Sequence, residues 1–187
     1  TFGAFSGFAA QLGLLINQIY GPSSTFAENH DVASLPTGAA YAYLGPLIGA
    51  GVRALWGPLC DKFGGAIWTF ISGIGMAASL GWAALYSNPK DPSEFTWFLT
   101  AMLVFFFFTG LGNAGTFKQM PMILPKRQAG GVIGWTGAVG AFGPFIVGIM
   151  LSMMAASTFF WGCVIFFVIT NVLIWVYYAR PNAPYPG

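Results

Sequence analysis

Six apolar segments follow one another along the chain, at roughly 1–20, 37–59, 66–86, 95–120, 129–154 and 158–178. Each is close to the roughly 20 residues that a helix needs to cross a ~30 Å hydrocarbon layer. The breaks between them carry turn chemistry: "YGPSS" and "SLPTG", "DKFGG", "SNPKDPSE", "LPKRQAGG", "AAS" and "ARPNAPYPG". The pattern therefore predicts six transmembrane helices that alternate across a bilayer, with no domain boundary inside the chain. The first residues, "TFGAFSGF", are already membrane-like, and no charged leader precedes them, so a piece of a longer chain is expected.

Composition strengthens this reading. Of 187 residues, 56% are hydrophobic and only 6% charged, and seven basic plus five acidic side chains cannot cover a soluble domain of this size. Their distribution orients the helices. With the "DKFGG" loop inside, Lys62, Lys126, Arg127 and Arg180 fall on the inner side, while the outer loops hold Lys90 with Glu28, Asp31, Asp91 and Glu94. Four basic residues against one support a cytoplasmic "DKFGG" loop. Trp97, Trp161, Trp175, Tyr177 and Tyr178 sit near span ends as interfacial aromatics, whereas Trp82 and Trp135 do not.

Other chemistry is sparse. Cys60 and Cys163 are too few and too far apart for a disulfide framework or zinc site and are expected as packed apolar residues. The lone His30 falls in an outer loop, where a solvated histidine is expected. No cofactor or metal is expected, and an integral-membrane enzyme or electron carrier has nothing to be built from. The scattered basic residues form no patch for nucleic acid.

Glycine is the informative residue type, with 26 in all. Gly3 and Gly7 form a small-xxx-small pair. Gly45, Gly49, Arg53 and Gly57 recur at steps of four and line one helical stripe, with Asp61 a turn further on. The fifth segment, "GGVIGWTGAVGAFGPFIVG", carries a glycine at nearly every turn, a face suited to close and movable helix packing.

Arg53 stands out on its stripe. A charge at mid-helix costs roughly 2.5 to 3.5 kcal/mol on insertion scales and usually faces a protein interior or a water-filled path. It lies about 12 Å along the helix from Asp61, at ~1.5 Å per residue. Among glycines and without an acidic partner, its planar fork suits a small planar oxyanion. Snorkelling to the inner surface is the alternative. In "TGLGNAGTFKQMP", Thr109, Asn113 and Phe117 share a second polar stripe, while Lys118 points to another face and is expected to reach the inner interface.

"GPLCDKFGG", residues 57 to 65, resembles the G-x-L-x-D-[RK]-x-G-[RG] loop of the major facilitator superfamily, with Asp61, Lys62, Gly64 and Gly65 in register. "GPLIGAGVR", then "GLGNAGTFKQMP", then "GWTGAVGAFGPFI", together resemble the C-terminal half of the nitrate/nitrite porter family over essentially the whole chain. The resemblance implies an all-α fold, six transmembrane helices forming one half of a twelve-helix protein, in the bacterial cytoplasmic (inner) membrane. It implies that the anion is bound by Arg53 together with an arginine of the missing N-terminal half, that Phe117 stacks on planar nitrate or nitrite, and that Thr109 and Asn113 lie beside them. It further implies that Asp61, Lys62, Gly64 and Gly65 form a cytoplasmic gate loop and that Gly134, Gly137, Gly140 and Gly143 belong to a signature helix that permits rocking. Two departures stand out: Pro144 follows Gly143 where paired glycines are usual, so a kink is expected there, and the "LPKRQAGG" loop is short.

The implied function is nitrate/nitrite exchange by alternating access across a pseudo-symmetric interface. Two facing arginines repel when the site is empty, which favours exchange. Every Asp and Glu lies in a loop or at a span end, leaving no proton site here; proton-coupled nitrate symport or another small-anion porter is the alternative. A non-transporting anchor subunit is disfavoured by an unpaired mid-helix charge.

Overall fold

The computed structural model describes residues 1–29 and 31–186, so His30 lies outside the described residues. Among them no strand occurs, and eight α-helices make up the bundle: α1 (Phe2–Ile19), α2 (Gly38–Tyr41), α3 (Leu44–Phe63), α4 (Gly65–Leu85), α5 (Glu94–Ile123), α6 (Lys126–Gly140), α7 (Gly143–Met153) and α8 (Ala156–Ile174). A π-helical turn, Trp175–Ala179, extends α8, and short 3-10 turns fill the α1–α2 loop.

Five segments have the length and hydropathy of a membrane span: α1, α4, α5, α6 with α7, and α8 with its extension. The sixth, α3, carries Arg53, Asp61 and Lys62, which lower its hydropathy. It nevertheless packs along α5, from Gly45 against the Phe106 ring to Asp61 against Lys118. The protein is an all-α integral membrane protein.

Two of the six predicted spans are broken. Residues 37–59 were expected as one helix, but α2 ends at Tyr41 and α3 begins at Leu44. Pro46 has no N–H for the carbonyl of Ala42, so one bond of the helical ladder is lost at this break. Likewise 129–154 divides into α6 and α7 at Ala141–Phe142, where the ladder tightens to bonds spanning three residues, Ala141 N to Ala138 O at 3.2 Å and Phe142 N to Val139 O at 3.1 Å. Pro144 then occupies the first turn of α7, where its missing donor is tolerated. The helix is interrupted at Ala141–Phe142, just before the Gly143–Pro144 pair where a kink was expected.

Small residues set the helix spacing. Gly65 of α4 approaches the backbone of Gly115 on α5, and Ser72 donates to the Phe108 carbonyl at 2.7 Å. On the other side Gly3 and Gly7 of α1 receive Gly140, Gly143 and Val147. Between them lies an aromatic core in which Phe8, Phe98, Phe105, Phe106 and Phe160 are fully buried. Phe8 contacts Phe105 edge-on, with centroids 4.8 Å apart. Burial of each ring removes about 150–250 Å² from its surroundings, which makes this cluster the main packing anchor.

The α3–α4 junction is tighter than a loop. Asp61 and Lys62 are in the last turn of α3, Gly64 alone turns the chain with φ 83°, and Gly65 opens α4. Only glycine adopts that backbone without strain. Trp82 also corrects the sequence reading: it lies in the last turn of α4 and pairs with Trp97 of α5 at 6.1 Å, so it joins the aromatics at that end.

Candidate functional site

The glycine stripe of α3 divides into two parts with different surroundings. Gly45 and Gly49 are buried, and a Cβ at either would strike Phe106 or Phe5. One turn on, Arg53 is exposed, and a Cβ at Gly57 would meet nothing within 4 Å. Arg53 was expected in a glycine-lined interior; instead its guanidinium lies on an open face of this bundle. There it lies over the Phe117 ring, 5.2 Å from the centroid. Among the described residues no carboxylate pairs with it, because the ion pair found is Lys118–Asp61. A guanidinium over an aromatic face keeps its N–H fork free at the edge for a planar acceptor.

Phe117 is held from behind. The Phe2 ring of α1 stands edge-on to it, 5.8 Å away at 84°. Phe2 in turn fills the space left by Gly140, where a Cβ would sit 2.5 Å from its ring. Sequence reasoning missed Phe2, because a phenylalanine at the start of an apolar span carries no local signal; only the fold brings it to α5. Beside the two rings lies a cavity of about 610 Å³ between α1, α5, α6, α7 and α8.

The polar residues of α5 separate. Thr109 is fully buried, and its hydroxyl donates to the Phe106 carbonyl at 2.9 Å, a helix-internal bond. Asn113, one turn before Phe117, is 1% exposed, and neither its amide nitrogen nor its oxygen has a partner. An unpaired buried amide costs about 1–3 kcal/mol for each orphaned group, so it is normally matched by something. Pro121 leaves the Phe117 carbonyl without its helical donor as well. The signature glycines also divide: Gly140 and Gly143 pack against α1, whereas a Cβ at Gly134 or Gly137 would touch nothing within 4 Å.

Relatives of known name match the chain over nearly its whole length. The chain is 46% identical over 191 residues to the "Probable nitrate/nitrite antiporter NarK2" of Thermus thermophilus, covering 100% of the chain and 41% of that protein. It is 27% identical to the nitrate/nitrite transporter NarU of Escherichia coli K12, over 96% of the chain and 42% of the relative. The corresponding protein of Salmonella typhimurium is 26% identical over the same shares. No family model matches. Over nearly its whole length the chain is similar to proteins named as nitrate/nitrite transporters. It spans about two fifths of the length of the curated relatives it matches.

The residues expected as a gate loop, Asp61, Lys62, Gly64 and Gly65, have separate surroundings. Asp61 leaves the loop to pair with Lys118 of α5, Nζ to Oδ1 at 2.8 Å, with both side chains about half exposed. Lys118 thus reaches the end of the bundle expected to be the inner interface. Lys62 turns onto the Phe63 ring at 5.3 Å. Gly64 and Gly65 shape the backbone: the first turns the chain, and the second admits the α5 backbone.

Proposed function

We propose that this chain is the C-terminal half of a carrier, not an enzyme, that exchanges nitrate for nitrite across the bacterial cytoplasmic membrane by alternating access. The observation that carries the proposal is Arg53: a guanidinium without a carboxylate partner among the described residues, seated on Phe117 of the membrane-span helix α5. A planar monovalent oxyanion satisfies both parts, accepting from the N–H fork while its face lies along the ring system. Asn113 supports the same assignment, since its unpaired amide could donate to the anion after a small shift of α5. Thr109 acts in packing within this site, its hydroxyl already engaged.

The open faces of α3 and α6, bearing Gly57, Gly134 and Gly137, are where the N-terminal half would rest. That half would supply the second arginine and close the anion between the two bundles. Asp61–Lys118 would tie α3 to α5 at the cytoplasmic end, so that the two helices move together when the halves rock.

Exchange is favoured over proton symport because Asp61, Glu94, Glu28, Asp31 and Asp91 all lie at helix ends or in loops. The test is uptake of labelled nitrate by the full-length parent protein in liposomes preloaded with nitrite, without a proton gradient. Rapid counterflow is expected. Folded protein that takes up nitrate only with an acid-outside gradient would establish symport instead.

A further inference from the structure

The junction of α6 and α7 holds an interaction that no sequence pattern announces. In an unbroken helix the amide of residue 144 would donate to the Gly140 carbonyl; Pro144 has no N–H, so that carbonyl loses its helical partner. α1 supplies the substitute. Ser6 Oγ donates to Gly140 O at 2.9 Å, with Gly3 O a weaker alternative at 3.3 Å. Further along α1, Gln11 Nε2 donates to the Pro144 carbonyl at 3.3 Å. Both sides of the elbow are therefore tied to one helix.

Its two arms are packed very differently. α7 lies on α1: a Cβ at Gly7 would strike Val147 and the Gly143 backbone, and a Cβ at Gly143 would strike Gly3 and Ser6. α6 buries only Ala129, and Cβ atoms at Gly130, Gly131, Gly134 and Gly137 would meet nothing within 4 Å. Within this half the first arm is closely packed and the second is held by little beyond its ends. Gly140, at the pivot, also touches Phe2, whose ring backs Phe117 beneath Arg53. A change in the elbow therefore reaches the ring pair of the anion site directly.

We propose that Ser6 is a positioning residue for transport: its hydroxyl holds the carbonyl that Pro144 frees, and so sets the angle at which α6 leaves the closely packed α1–α7 pair. The bond is exchangeable by design of the chain, because a proline elbow held by a side chain can open and reclose, whereas a continuous helical ladder resists bending. The role of Ser6 in transport rests on the carrier reading above, but the elbow itself does not.

The test uses the full-length parent in lipid vesicles. Spin labels at Val132 on α6 and Ile149 on α7, both exposed, report the elbow by pulsed electron paramagnetic resonance in a background lacking the native cysteines. For Ser6→Ala the interlabel distance distribution is expected to shift or broaden. Nitrate/nitrite turnover is expected to fall about five- to tenfold, the worth of one buried hydrogen bond, with KM within about twofold. Adding Pro144→Ala restores an N–H for Gly140, so in that background Ser6→Ala is expected to change neither quantity. A Ser6→Ala protein identical to the wild type in distance and turnover, or equally impaired with and without Pro144→Ala, overturns the proposal. Because the distance cycle is read without any substrate, a Ser6 effect that Pro144→Ala abolishes supports the elbow even if nitrate is not carried; that result counts against the carrier reading alone.

Discussion

At the scale of single residues, two side chains carry opposite debts. Arg53 holds a full charge over Phe117 with its fork unused, so its value lies in what it binds. Arg53→Lys keeps the charge but loses the planar two-point geometry, and nitrate exchange by the parent protein is expected to fall by more than about tenfold. Near-normal initial rates in the liposome assay would remove the central support for the anion site. Asn113 presents the reverse case: its two unpaired buried amide atoms weaken the fold. Replacing it by Leu, similar in volume and free of polar atoms, is expected to raise stability by about 1–2 kcal/mol while weakening anion binding. Thermal unfolding of the purified variant together with its KM tests both halves of that statement, and an unfolding midpoint at or below the wild-type value refutes the first.

At the scale of elements, glycines divide into those that admit a neighbour and those that leave a face open. Gly143→Ala would press a methyl into the Gly3 carbonyl and Ser6, and a loss of about 1–3 kcal/mol in stability is expected from this overpacking. Gly137→Ala meets nothing within this half, so stability should stay within about 0.5 kcal/mol, as for substitutions away from any packed contact. If Gly137→Ala nevertheless halts exchange, the face is a contact with the other half; unchanged exchange would deny it that role. The same division marks the limit of sequence reading. Six apolar runs and their punctuation were legible because membrane helices write their length and flanks locally. The α6–α7 break was also legible, since Pro144 acts on its own backbone. The α2–α3 break was not read from Pro46, because the surrounding apolar run masked it. Nor could spacing show that Gly45 and Gly49 face Phe106 while Arg53 turns outward, since that depends on where α5 lies. Phe2 and Ser6 were silent for the same reason: each acts on a residue more than 100 positions away.

At the scale of the whole molecule, charge balance separates the two modes of transport without reference to any one residue. Swapping one nitrate for one nitrite moves no net charge across the membrane. A potential of 100 mV acts on each translocated charge with about 2.3 kcal/mol, close to a fiftyfold bias in an equilibrium. In liposomes carrying the parent protein, an imposed potassium-diffusion potential of that size should leave the initial rate of nitrate/nitrite exchange within about twofold of its value at zero potential. Any net charge that a loaded site carries through the field moves inward in one stroke and outward in the next, so it adds nothing to the overall equilibrium of one-for-one exchange. A rate that instead changes about tenfold, with a sign that reverses when the potential is reversed, means that net charge accompanies each anion. Exchange would then give way to co-transport with cations in a ratio other than one to one, and since this half holds its carboxylates only at helix ends and in loops, the group that binds the cation would have to be sought in the N-terminal half.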